Sequence, residues 1–106
     1  MARTRIAVVG SDLDTLSRIY LGLTHRNYRV ETSTNPDDRD WLRKFRPDVL
    51  ILDKAGYDAI GSRQKKPVIV YLEPGTASFT HPGDVFLLWK PVQMEALLSW
   101  LDKIVY

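Results

Sequence analysis

Few side chains in this 106-residue chain are placed to do chemistry, and most fall just after apolar runs. Asp53 follows Asp48-Val49-Leu50-Ile51-Leu52, Lys90 follows Val85-Phe86-Leu87-Leu88-Trp89, and Glu73 follows Pro67 to Leu72. Gly10, Ser11 and Asp12 follow Arg5-Ile6-Ala7-Val8-Val9. A carboxylate at the end of a buried strand can ligate a hard cation or pair with an ammonium. Mg²⁺ takes one or two carboxylates plus waters in near-octahedral geometry. Gly10 and Ser11 supply no acid beside Asp53. Asp12 could join Asp53 as a metal ligand, but it stands where a helix cap is needed, and capping is the favoured reading. One glycine before Ser11 falls far short of a dinucleotide fingerprint or a phosphate-binding P-loop. Ser11 has no motif partner that would make it a nucleophile. His25 and His81 are far apart with no ligand cluster around either, and there is no cysteine to bind metal or form a disulfide.

The elements that must position these groups alternate between strand and helix. Arg5–Val9, Asp48–Leu52, Pro67–Leu72 and Val85–Trp89 are near-continuous apolar runs, the mark of strands buried on both faces. Tyr28–Thr32 alternates like a shorter strand. Leu13, Leu16, Ile19, Tyr20 and Leu23 recur at helical spacing and predict a first helix to about His25. Asn35-Pro36-Asp37-Asp38 predicts the start of a second helix, with Asn35 as cap, Trp41, Leu42 and Phe45 inward, and Pro47 as its end. A last helix is expected from Val92 to about Ile104, with Met94, Leu97, Leu98, Leu101 and Ile104 inward. The segment from Lys54 to Lys66 has room for a short helix near Tyr57 to Arg63. Glu73 to Asp84, with Pro74-Gly75 and Pro82-Gly83, offers little chance of one. The expected fold is therefore α/β: a five-stranded parallel, doubly wound sheet of flavodoxin-like type, with shortened or missing helices after strands three and four. Sites in such sheets gather at the carboxyl ends of the strands.

The bulk numbers agree with a single soluble domain spanning residues 1–106, with 44% hydrophobic and 26% charged residues. Met1 to Arg5 is polar, Ile6 to Val9 is too short for a signal peptide's apolar core, and no run reaches membrane-spanning length. Cytoplasm is the default location. The net charge is +2. Arg43, Lys44 and Arg46 form one basic cluster, and Arg63 with Lys65-Lys66 another. Both read as solvated faces, so nucleic acid is not an expected partner of this domain alone.

Arg46-Pro47-Asp48-Val49-Leu50-Ile51-Leu52-Asp53, together with Val8-Val9 before a polar turn and Lys90-Pro91 before a last amphipathic helix, resembles the receiver domain of bacterial response regulators. The resemblance implies that Asp53 matches the aspartate to which a histidine kinase passes a phosphoryl group. It implies that Lys90 matches the lysine that contacts the phosphoryl oxygens. The family's Mg²⁺-binding acidic pair falls on Gly10 and Ser11. Its switch hydroxyl falls on Leu72, and its switch aromatic on Leu87, with Phe86 one place off. The loop after Asp53, Lys54-Ala55-Gly56-Tyr57-Asp58, lacks the family's proline and length.

Phosphoryl transfer depends on positioning and on charge neutralisation by the metal, so these departures bear on function directly. The expectation is a degenerate, atypical receiver-like module of two-component signalling that is not an enzyme, needs no cofactor and acts by binding a signalling protein. In it, Asp53 pairs with Lys90 as a structural relic. The alternative is a working phosphoacceptor at Asp53 that uses Mg²⁺ or Lys90 for charge neutralisation. Phe86, Trp89 and Trp100 are candidate interface residues, for instance in a homodimer through the last strand and helix. The competing reading is that the tryptophans close the core.

Overall fold

The computed structural model describes residues 3–61, 66–73 and 85–105. Strands β1 (Arg5–Val9), β2 (Arg29–Ser33), β3 (Val49–Leu52), β4 (Val68–Leu72) and β5 (Val85–Trp89) form one parallel sheet in the order β2-β1-β3-β4-β5. Among the described residues four helices flank it: α1 (Leu13–Thr24), α2 (Arg39–Phe45), α3 (Lys54–Ala59) and α4 (Met94–Val105). The expected five-stranded, doubly wound, flavodoxin-like arrangement is what the chain adopts.

Strand side chains alternate between two cores, as a period of two requires. Ile6, Val8, Ile51, Ile69 and Tyr71 face one way, against Leu16, Ile19 and Leu23 of α1 and Leu97 and Leu101 of α4. Ala7, Val9, Leu50, Leu52, Val70 and Leu72 face the other way, against Phe45 of α2 and Tyr57 and Ile60 at α3. This double covering explains why the strands read as unbroken apolar runs.

Two helix starts differ from expectation. α2 begins at Arg39, capped by Asp38, whose side chain accepts the Trp41 N–H at 3.2 Å. Asn35 instead makes a turn, its Oδ1 accepting from the Asp37 N–H at 3.0 Å. The side-chain turn competes with the helix for the same residues and delays its start. α3 begins directly after Asp53, so the segment from Lys54 to Asp58 is helix, not loop, and the helix lies three residues earlier than Tyr57. The cap that starts it is Asp53 itself. Part of the segment expected to follow it (62–65) and the connection from 74 to 84, with Phe79 and His81, lie outside the described residues. No helix among the described residues is long and apolar enough to cross a membrane.

Candidate functional site

The carboxyl edge of the sheet brings Asp53, Ser11, Asp12, Glu73 and Lys90 together, as the strand ends predict. Their pairing is different. Lys90 does not meet Asp53. Its Nζ donates to Asp12 Oδ2 at 2.7 Å and to Glu73 Oε1 at 2.6 Å. The Lys90 N–H also donates to the Leu72 carbonyl at 2.8 Å, which fixes the base of the side chain at the end of β4. The expected Asp53–Lys90 ion pair is thus replaced by a triad of Asp12, Lys90 and Glu73. Two carboxylates flank the ammonium, and the Asp53 oxygens accept from Ser11 and Gly56 instead.

Asp53 works as a staple. Its Oδ1 accepts the Gly56 N–H at 2.7 Å and caps α3. Its Oδ2 accepts the Ser11 N–H at 3.1 Å and lies 3.5 Å from Ser11 Oγ. One carboxylate therefore ties the turn after β1 to the helix after β3. Gly56 makes this approach feasible, since a Cβ there would sit 3.2 Å from Asp53 Oδ1 and 3.4 Å from the Val9 carbonyl.

Asp12 caps α1, as expected, and does more. Its Oδ1 accepts the Asp14 and Thr15 N–H groups at 3.1 and 3.4 Å, and its Oδ2 accepts Thr15 Oγ1 at 2.8 Å beside the Lys90 ammonium. The Lys90 hydrogen bond, followed by those from Thr15, holds the Asp12 carboxyl well below the usual carboxylate range. Burial of Lys90 works against its charge, but the hydrogen bonds it donates to Asp12 and Glu73 outweigh it and raise its pKa. A cleft of about 350 Å³ opens beside this triad, lined also by Arg18 and Pro91.

Sequence reasoning missed Tyr71. It is 1% exposed, and its hydroxyl has no hydrogen-bond partner among the described residues. That hydroxyl stands where a Cβ at Gly10 would be, and Asp53 Oδ2 lies 3.5 Å from the same point. The Lys90 Nζ sits 5.8 Å from the ring centroid. Burial first, then the negative charges of Asp53, Asp12 and Glu73, raise the pKa of the Tyr71 phenol. The available signal was a polar aromatic in an otherwise aliphatic strand, two residues before Glu73.

Position 10 has no side chain and no room for one, Asp53 is committed to backbone donors, and Asp12 to Lys90. Among the described residues no group of three or more acidic or histidine side chains converges as a metal site.

The other predicted positions are apolar packing. Leu72 is buried and Leu87 partly buried in the core beneath α2 and α3. Phe86 packs on Trp100, with ring centroids 4.8 Å apart, and the Trp100 indole N–H donates to the Leu87 carbonyl at 3.1 Å. This pair seals the edge of the first core, whereas Trp89 remains 50% exposed at the end of β5.

No family model and no curated protein sequence matches the chain. Solved structures do. A protein of Chloroflexus aurantiacus assigned as a response regulator superposes with a TM-score of 0.84 at 21% identity, over 98% of each chain. The signal receiver domain of a Bermanella marisrubri response regulator gives 0.74 at 26% identity, over 99% of this chain and 100% of that one. The chemotaxis response regulator CheY4 of Vibrio cholerae gives 0.77 at 20% identity, over 97% and 99%. The structural neighbours of this chain are receiver domains of response regulators, and the fold it shares with them is the receiver fold.

Proposed function

We propose that the protein is an atypical receiver-like module of two-component signalling that acts by binding a protein partner, without Mg²⁺-dependent phosphorylation of Asp53 and without turnover of its own. The observation that carries this reading is the allocation of charges at the carboxyl edge. Lys90, the only cation in the triad, is held by Asp12 and Glu73, and Tyr71 fills the space beside Asp53. Phosphoryl transfer needs preorganised positive charge around the moving group. Here that charge is already neutralised by two carboxylates, and the acceptor oxygens hold a turn and a helix in place.

Contact with a partner is the function left to the scaffold. Trp89 adds a half-exposed indole at the free edge of β5, the kind of amphipathic side chain that anchors interfaces. Self-association through β5 and α4 is one form this contact takes, and sedimentation of the protein beside its Trp89→Ala variant reads it directly.

The direct test is to incubate the protein with Mg²⁺ and a small phosphodonor and weigh it. The expected result is an unchanged mass. A gain of one phosphoryl group, abolished by Asp53→Asn, would overturn the proposal and restore a working phosphoacceptor.

A further inference from the structure

The opposite edge of the sheet carries a second site of different chemistry. Arg5 opens β1 and Arg29 opens β2, and the two are direct register partners on adjacent parallel strands. Like charges placed opposite one another in a sheet destabilise it. Arg43 and Lys44 in the last turn of α2, and Arg46 at its C-cap, extend the cationic wall around a cleft of about 950 Å³. Cations at a helix C-terminus complement the helix dipole, which accounts for Arg43 and Lys44. It does not account for Arg5 and Arg29.

Three acids, Glu31, Asp38 and Asp40, line the cleft too, so the five cations exceed them by two, and few of these charges meet directly. Glu31 accepts the Trp41 indole N–H at 2.8 Å, and Asp38 accepts the Trp41 backbone N–H. Asp40 meets Arg43 only at 3.9 Å, with both side chains about four-fifths exposed. Asp48, just outside the cleft, accepts the Arg5 backbone N–H at 2.9 Å rather than its guanidinium. Among the described residues Arg5, Arg29, Lys44 and Arg46 form no ion pair, and the Arg29 guanidinium lies over the Phe45 ring, 5.8 Å from its centroid. Trp41 and Phe45 also line the cleft, their rings stacked nearly parallel with centroids 6.2 Å apart.

We propose that this cleft binds a ligand bearing consecutive phosphate groups. Arginine offers planar, bidentate donors that match phosphate oxygens, and guanidinium is shed of water more readily than ammonium. Four arginines and a lysine against three carboxylates leave two positive charges in excess, which suits a ligand with more than one negative charge. The volume falls within the range of small-molecule sites. Such phosphates come from a free polyphosphate compound or from a nucleic-acid backbone. The site lies on the edge away from Asp53 and does not depend on the reading of that residue.

Calorimetric titration of the intact chain with inorganic tripolyphosphate at low ionic strength tests this. Saturable one-site binding is expected, weakening as salt rises. The Arg5→Gln/Arg29→Gln variant should bind at least about tenfold more weakly, since each loses a charge-assisted contact. Glu31→Gln keeps the acceptor for Trp41, removes a negative charge and should bind more tightly, which keeps the test decisive if the arginine variant folds poorly. Asp53→Asn should bind unchanged. A parallel titration with a short DNA duplex distinguishes the sources: tighter binding than tripolyphosphate, lost in the same variant, assigns the phosphates to a nucleic acid. No saturable binding of either probe, or binding indifferent to both Arg5/Arg29 and Glu31, overturns the proposal.

Discussion

The hydroxyl of Tyr71 occupies the space that a side chain at Gly10 would need. A strand residue on β4 thereby decides what the turn after β1 can carry. Any side chain introduced at position 10 must displace a buried ring, and overpacking of this kind costs about 1–3 kcal/mol. Gly10→Ala is expected to destabilise the protein by that amount in urea unfolding. Tyr71→Phe removes a buried hydroxyl that has no partner among the described residues and should be neutral or stabilising. In the Tyr71→Phe background the cost of Gly10→Ala should shrink, because only the ring carbon, 3.0 Å from the added Cβ, is left to yield. Additive effects of the two changes would contradict the direct contact.

Asp53 predicts a separation of two replacements usually treated alike. Its Oδ1 caps α3, and its Oδ2 holds the Ser11 N–H. Asp53→Asn keeps one carbonyl oxygen for the cap but loses the acceptor for Ser11, and should cost less than removal of both. Asp53→Ala removes both acceptors and should cost about 1–2 kcal/mol, the range found for lost N-caps. Amide exchange at Gly56 and Ser11 should quicken in Asp53→Ala. Equal stabilities of the two variants would mean that the carboxylate is not the staple described.

The strand pattern made most of the fold legible. Ile6–Val9, Val49–Leu52 and Val68–Leu72 are unbroken apolar runs because both faces of the sheet are covered there, the pattern that parallel sheets show. Asp12 as the α1 cap was legible because the chemistry is local. The partner of Lys90 was not, because Asp12, Glu73 and Asp53 all reach the same edge and strand order alone does not rank them. Asn35 misled because a capping residue and a turn residue are the same residue type. Tyr71 escaped because nothing local links a β4 aromatic to a glycine sixty-one positions earlier.

Trp100 divides into a packing part and a polar part. Its ring packs on Phe86, and its indole N–H donates to the Leu87 carbonyl. Trp100→Phe retains an aromatic face but drops the hydrogen bond, and should cost about 1 kcal/mol. Trp100→Ala also opens the core edge and should cost about 3 kcal/mol or more. Trp89→Ala, by contrast, should leave stability nearly unchanged, since half of that side chain is already in water. A large loss on replacing Trp89 would show that it is part of the core.

The Asp12–Lys90 pair sets opposite pH dependences at the two ends of the scale. The folded pKa of Asp12 is depressed below its ordinary 3.8 by Lys90 and then by Thr15. Its contribution to stability is therefore complete above pH 3.8 and is lost as pH falls through the folded value. The folded pKa of Lys90 is raised above its ordinary 10.5, because the bonds to Asp12 and Glu73 prevail over burial. Its contribution is complete below pH 10.5 and is lost as pH rises through the folded value. Lys90→Met removes the main cause of the Asp12 depression and leaves Thr15. Thermal melts from about pH 2 to 5 should then show a shallower acid-side fall in Tm than in the unaltered protein, and the loss above pH 10.5 should shrink with it. Parallel Tm curves for the two proteins at low pH would mean that Asp12 is held down by its cap alone, and that Lys90 is its neighbour without being its partner.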